Sequence, residues 1–269
     1  MENIITKIAF ASAKHLESNN ASNDVILTKN NNSRDVVTSL DYLLNESIKD
    51  IIKEDMPDAL VLSEEDSIDQ NLSYFKDLTF VIDPLDGSQN FSIGFPFYSS
   101  VVAAIEDNKI IASAVVSSFN KQLVIWDKNT GLKSNINNEI FERGLPSYLA
   151  YSPIKTSAND NFIFKLITNI DEYSSGIYRW GSASNGLLEL LNGRFQTFVA
   201  YEIRIWDCLA FLPILLEKEI HVAFAINNFS ISLIASSNIE HFNSLKKIYK
   251  SSNINLINYN SIDVGIINE

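Results

Sequence analysis

Apolar side chains fall at helical spacing near the start of the chain and give way to short unbroken apolar runs further on. Ile5, Ile8, Ala9 and Leu16 share one face of a helix predicted over residues 2–18, with the small Ser12 and Ala13 filling the turn between. A second helix is predicted over 39–54, with Leu40, Leu43, Leu44, Ile48, Ile51 and Ile52 facing inward and Pro57 marking its end. Between the helices, Asn30-Asn31-Asn32-Ser33 reads as a loop. Residues 59–62 and 78–82 are short buried strands; the first runs into Ser63-Glu64-Glu65-Asp66, and the second ends at a pair of aspartates. Three strand-like runs follow at 98–105, 110–118 and 123–126. Asp107-Asn108 and Asn120-Lys121 lie between them like hairpin turns, which predicts an antiparallel meander.

The polar stretch from Lys128 to Arg143 is the candidate junction between an N-terminal part, 1–143, and a C-terminal part, 144–269. Beyond it the pattern predicts a strand at 148–151, a helix at 160–170, and a helix at 184–192 stopped by Gly193. A strand at 195–199 and an apolar helix at 206–217 come next. Pro213 should bend that helix or delay its start. The tail after Ala223 is strand-like, with one more helix near 239–249.

Candidate chemistry sits where apolar segments stop. In Val81-Ile82-Asp83-Pro84-Leu85-Asp86-Gly87-Ser88-Gln89-Asn90-Phe91, two carboxylates three residues apart precede a Gly-Ser pair. Anionic oxygens, backbone N–H groups and a hydroxyl therefore meet at one strand end, as a divalent cation holding a phosphate requires. Glu64-Glu65 and Trp206-Asp207 are two further acidic clusters. Each has an ordinary reading alone: a solvated loop for Glu64-Glu65, a turn for Asp86-Gly87, a helix cap for Asp207. An EF-hand is excluded because its third acidic position and distal Glu are missing.

Composition narrows the chemistry. The only cysteine is Cys208, and His15, His221 and His241 are scattered, so neither a zinc site nor a Ser-His-Asp triad is supported. Carboxylates with a hydroxyl suit magnesium or manganese. A formal net charge of -12 argues against nonspecific nucleic-acid binding. No apolar run approaches the roughly 20 residues of a membrane span. The start, Met1-Glu2-Asn3-Ile4, lacks a secretion pattern, and one cysteine suits a reducing compartment, so a cytoplasmic protein is expected.

Together these residues carry a resemblance. Glu64-Glu65, the Asp83–Phe91 segment and Trp206-Asp207 resemble the inositol monophosphatase family of magnesium-dependent, lithium-sensitive phosphatases. Val37-Thr38-Ser39-Leu40-Asp41 is similar to its upstream Val-Thr-x-x-Asp element, and Gly181-Ser182-Ala183 to its Gly-Ser/Thr-Ala element. The resemblance covers nearly the whole chain. It implies an α+β fold, a layered αβαβα sandwich of the inositol monophosphatase/fructose-1,6-bisphosphatase type. Two helices would lie on an antiparallel sheet, a mixed sheet would lie between helices, and the metals would sit where the parts meet.

Site roles follow from the resemblance. Glu64 and Asp83, with the Leu85 carbonyl and Ser88 hydroxyl, would hold one Mg2+; Asp83, Asp86 and Asp207 would hold a second. Glu65 would support the site or bind a weaker third ion, and Mn2+ could replace Mg2+. The Gly87 and Ser88 N–H groups would hold phosphate oxygens, with Asp86 and Asp207 near the substrate. Gly181 and Ala183 would line its alcohol part. Asp41 would orient the hydroxyl that polarises the water, and Glu64 with Ser88 would aim that water at phosphorus.

The expected function is hydrolysis of inositol monophosphate or a similar polyol or sugar phosphate. Relatives of the fold act instead on 3′-phosphoadenosine 5′-phosphate or fructose 1,6-bisphosphate, and a regulatory partner-binding protein is the reading from another class. A homodimer is the family default; no direct nucleic-acid or membrane partner is expected. The chain also departs from the family pattern. Ser88 stands where Thr is more common. Glu202, the candidate substrate-contacting Glu, is followed by a short spacer, Ile203-Arg204-Ile205, without glycine. Arg204 could meet a second anionic group or a partner subunit, or be an ordinary surface arginine. Arg179 could equally sit in an interface or a core-edge ion pair. The bulky Phe211 alters the packing expected behind the site.

Overall fold

The structure, a computed structural model, describes residues 1–18, 25–28, 36–66, 75–136, 144–151, 157–262 and 265–266, with side chains of 157–160 outside that description. The predicted loop at Asn30–Ser33 and the end of the polar stretch after residue 136 lie outside the described residues.

The N-terminal half runs α1 (Glu2–Glu17), β1 (Val25–Thr28), β2 (Val36–Thr38), α2 (Ser39–Asp55), β3 (Leu60–Ser63), β4 (Thr79–Asp86), α3 (Ser88–Ser92), β5 (Ser99–Glu106), β6 (Lys109–Ser117), β7 (Gln122–Asp127) and β8 (Gly131–Ser134). Strand β8 falls inside the stretch read as a junction; it pairs with β7 through Gly131↔Asp127. Helix α2 starts with a reciprocal cap: Asp41 N–H donates to the Thr38 hydroxyl, and Thr38 N–H donates to the Asp41 carboxylate. Its core stripe is Leu40, Leu44, Ile48 and Ile52. Leu43, expected inward, is 45% exposed, because strict four-residue spacing leaves it on the flank.

Strands β3 to β8 form a six-stranded sheet in sequence order. It was expected to be antiparallel, but β3 and β4 pair in parallel. The meander turns carry positive φ at Asp107 (50°), Asn108 (58°), Asn120 (57°) and Lys121 (49°), the left-handed conformations that close tight hairpins.

The C-terminal half runs β9 (Ser147–Tyr151), α4 (Ser157–Tyr173), β10 (Ile177–Tyr178), α5 (Ala183–Leu191), β11 (Thr197–Arg204), α6 (Leu212–Glu217), β12 (His221–Asn227), β13 (Ser230–Ser236), α7 (Ile239–Ser251) and β14 (Ile257–Tyr259). The second sheet has order β10-β9-β11-β13-β12-β14 and is mixed. The helix expected at 206–217 is instead two 3₁₀ turns, Ile205–Asp207 and Leu209–Phe211, followed by α6 with Pro213 in its first turn. Proline has no N–H to donate, so it fits only where none is needed.

The layers follow from alternation along β4. Phe80 and Ile82 pack against α1 and α2 on one face; Val81 on the other joins the core beneath α5 and α6. That middle core also takes one face of the second sheet, through Phe198, Phe224 and Leu233. Helices α4 and α7 cover the far face at Val199, Ala223 and Ile234. The result is the αβαβα sandwich.

Glu217 ties the halves together. It accepts from the Trp126 indole N–H at 2.7 Å and from Leu132 N–H at 3.0 Å. Glu217→Ala strands both donors and should cost about 1–3 kcal/mol in urea unfolding; a change below about 0.5 kcal/mol would assign the bridge no weight.

Candidate metal centre

A bulge in β4 aims the central aspartates. Asp83 pairs with Val101 and Asp86 with Ser99, so β4 advances three residues while β5 advances two. The extra residue puts Asp83 and Asp86 on one face instead of opposite faces. Pro84 sits inside this irregularity, where its missing N–H does no harm. The strand therefore runs through the aspartates rather than ending before them, and both lie on the face that meets the C-terminal half.

The other acids arrive by different routes. Glu64 follows β3 and donates its N–H to the Ile82 carbonyl at 3.1 Å, which sets it beside Asp83. Asp207 closes the 3₁₀ turn after β11, anchored by Ile205 N–H to Phe229 O at 3.1 Å. Oxygens of Glu64, Asp83 and Asp207 all lie within 4.8 Å of one another. Burial drives the Asp83 carboxyl well above the usual carboxylate range, and the charges of Glu64, Asp86, Asp207 and Asp41 push it further. Asp207 is raised well up by loss of solvent and then by Asp86 and Glu64, with Arg204 pulling the other way. Asp83 Oδ1 is buried without a hydrogen-bond partner among the described residues. An orphaned buried oxygen among like charges is the environment that a bound cation would satisfy. The donor set therefore fits a hard divalent metal.

Asp86 is not one of the three converging carboxylates. It is turned to the start of α5, where the Ser182 hydroxyl and Ser184 N–H each donate at 2.7 Å, the Ser184 hydroxyl donates as well, and Ala183 N–H reaches it at 3.4 Å. Burial raises its pKa while the Ser184 and Ser182 hydrogen bonds oppose the rise.

Ser88 opens α3 and donates to Asp41 Oδ1 at 2.5 Å, with the Leu85 carbonyl at 2.9 Å. Asp41 is fixed in turn by Thr38, its capping partner. Burial raises the Asp41 pKa against the hydrogen bonds from Ser88 and Thr38. Gly87 holds φ 95°, and a Cβ there would meet the Phe97 carbonyl at 2.7 Å. Gly181 has φ 78° and packs on Asn90, whose amide donates to the Phe97 and Trp180 carbonyls at 2.7 Å each.

The remaining candidates lie further out. Glu65 is half-buried, its N–H 3.3 Å from the Ser63 hydroxyl. Glu202 holds φ 50° at a bulge in β11 and, with Arg204, Asn227, Phe229, Ser230 and Ser232, lines a cavity of about 500 Å³. Arg179 lies over the Tyr151 ring at 4.2 Å and donates to its carbonyl at 3.1 Å. Sequence reasoning missed Asn90 as a brace and Ser184 as a partner of Asp86. No spacing rule flags a single polar side chain that acts across two subdomains.

Fold and site define a class: a layered α+β protein with an acidic, oxygen-lined cluster that could hold a cation where the two halves meet. A model of the inositol monophosphatase family matches residues 1–218, and the chain belongs to that family. It is 24% identical over 221 residues to Nus factor SuhB of Haemophilus influenzae, covering 78% of this chain and 79% of that one. It is 27% identical over 213 residues to a fructose-1,6-bisphosphatase/inositol-1-monophosphatase of Aquifex aeolicus, covering 76% and 78%. The extragenic suppressor protein suhB of Bartonella henselae superposes with a TM-score of 0.73 at 23% identity, over 92% of this chain and 97% of that one. Among the described residues, no helix is long and apolar enough to cross a membrane.

Proposed function

We propose that the chain is a Mg2+-dependent phosphomonoesterase acting on inositol monophosphate or a similar polyol or sugar phosphate. The observation that carries this reading is the convergence of Glu64, Asp83 and Asp207, with an Asp83 oxygen buried and without a hydrogen-bond partner among the described residues. Glu64 and Asp83, with the Leu85 carbonyl and the Ser88 hydroxyl, would hold one Mg2+, or Mn2+ in its place; Asp83, Asp86 and Asp207 would hold a second, and Glu65 a weaker third. Bound there, the cations supply Lewis acidity to a water nucleophile and to the phosphoryl oxygens.

The protein's own groups do the rest. Asp41 accepts a 2.5 Å hydrogen bond from the Ser88 hydroxyl, which turns the Ser88 lone pairs outward; with Glu64 they would orient the attacking water. The N–H groups of Gly87 and Ser88 stand at the start of α3, where no preceding helical carbonyl claims them, and suit phosphate oxygens. Ala183 beside Asp86 and Gly181 against Asn90 would line the alcohol part of the substrate, whereas Glu202 lines a cavity that includes none of these residues, so its part in holding the alcohol has no support from that cavity.

In this reading the chain works in the cytoplasm as a homodimer and is inhibited by lithium. The test is phosphate release from inositol monophosphate, fructose 1,6-bisphosphate and 3′-phosphoadenosine 5′-phosphate, with and without Mg2+. The expected result is Mg2+-dependent release, fastest from inositol monophosphate and reduced by lithium. No release from any of the three would overturn the reading.

The relatives named Nus factor SuhB favour a second reading, a regulator that acts through protein partners. It predicts that an Asp207→Asn variant without hydrolytic activity still supports the protein's role in cells; loss of that role along with activity would remove it.

A further inference from the structure

Five small polar side chains are packed where an apolar core would be expected. Ser99, Ser117, Ser182, Ser184 and Asn185 are each at most 2% exposed. Ser99 and Ser117 face each other across β5 and β6 of the first sheet; Ser182, Ser184 and Asn185 open α5 in the layer beneath. Buried polar groups in such number are costly unless all are paired.

Their hydrogen bonds run in one consistent direction. The Ser117 hydroxyl donates to Asn185 Oδ1 at 2.6 Å. The Asn185 amide donates to Ser182 Oγ at 2.8 Å and reaches Ser99 Oγ at 3.4 Å. Ser99 and Ser184 hydroxyls share a short contact. Ser182 and Ser184 hydroxyls both donate to Asp86 Oδ2, and Ser184 adds its backbone N–H at 2.7 Å. Each hydroxyl has one proton, so with Ser184 donating to Asp86, Ser99 donates to Ser184. Every proton in the chain is passed toward one carboxylate.

We propose that the α5 end of this seam, Ser182 and above all Ser184, is a positioning device that sets the cation affinity of the centre through Asp86. Three donors occupy Oδ2. That leaves Oδ1, with its long 3.4 Å contact to Ala183 N–H, as the oxygen open to a cation. Without those donors, repulsion from Glu64, Asp83 and Asp207 would turn the Asp86 carboxylate away. The inference rests on the metal-centre reading above and assigns Ser184 a role that no motif carries.

The test is calorimetric titration of the metal-free protein with Mg2+ and with Mn2+, together with thermal unfolding of the metal-free form. Ser184→Ala should bind roughly tenfold more weakly, the size expected for an outer partner of a metal ligand. Ser117→Ala, three hydrogen bonds removed from Asp86 by way of Asn185 and Ser182, should lose thermal stability yet bind within about twofold of the parent, since additive packing losses do not move a distant affinity. Should Ser184→Ala not fold, Ser182→Ala is read in the same assay with the same expectation. Parental affinity in the Ser184 or Ser182 variant overturns the proposal, as does equal weakening in Ser117→Ala, which would mean general loosening. A parent chain that binds neither ion overturns the metal-centre reading itself, so the two failures are told apart.

Discussion

Asp83→Asn should yield a folded protein in which the Mg2+-dependent phosphate release proposed above falls by far more than the roughly 10–100-fold lost with an outer partner of a metal ligand. Asp83 is 1% exposed, shares the 4.8 Å cluster with Glu64 and Asp207, and carries the orphaned Oδ1. An amide has similar shape but no charge, so it removes the ligand without opening a cavity. The same change should make the metal-free protein more stable, because one of several mutually repelling buried charges is gone. The pH dependence carries the sign. Burial, Glu64 and the other acids raise the folded pKa of Asp83 above its unfolded value. The metal-free folded state therefore keeps a proton that the unfolded chain has released. Its stability falls as pH rises from the ordinary carboxylate range, about 4, through the raised value. Asp207 shifts in the same direction. Thermal unfolding in EDTA at mildly acidic and mildly alkaline pH should show this loss in the parent and a shallower one in Asp83→Asn. Near-parental activity in the variant, or a steeper pH loss, would sink the assignment.

Gly87→Ala should damage both stability and activity, whereas Gly144→Ala should damage stability alone. Both glycines have positive φ, 95° and 63°. A left-handed L-residue costs roughly 1–2 kcal/mol. At Gly144 that is the whole penalty, since an added Cβ would come no closer than 3.8 Å to Ser175. At Gly87 the Cβ would meet the Phe97 carbonyl at 2.7 Å, with Ser182 Cβ and Tyr98 Cα at 3.3 Å. The backbone must move to relieve that clash. The residue next along is Ser88, whose hydroxyl is held to Asp41 at 2.5 Å. A shift of about 1 Å at such a site can cost about 100-fold in rate. Parallel denaturant titrations and turnover assays on the two variants check the contrast; equal activity in both would mean that α3 does not position the chemistry.

Much of the fold was legible because local patterns and global packing agree. The stripe at Leu40, Leu44, Ile48 and Ile52 marked α2, and Asp107-Asn108 marked a hairpin through their tolerance of positive φ. Where sequence reading failed, a tertiary contact overruled the local signal. The 206–217 run looked like one apolar helix, yet the chain spends its first residues in 3₁₀ turns that bring Asp207 to the first sheet. The 128–143 stretch looked like a linker by polarity, but the edge of a sheet recruited Gly131–Ser134 as a strand. Edge strands need only one bonded neighbour, so their composition betrays little.

The order of residues alone determined which chemistry was possible: acidic oxygens, a Gly-Ser turn and a hydroxyl, with one cysteine and three dispersed histidines leaving no soft-metal alternative. It also determined the helices and most strands, because hydrophobic period is a local property. Only the folded chain decided which acids meet. A one-residue bulge swings Asp83 and Asp86 onto a common face, and the turn after β11 delivers Asp207 to Glu64 and Asp83, while the serines of α5 claim Asp86. Those outcomes depend on strand register and on packing between residues 96 or more positions apart, which spacing along one chain does not encode.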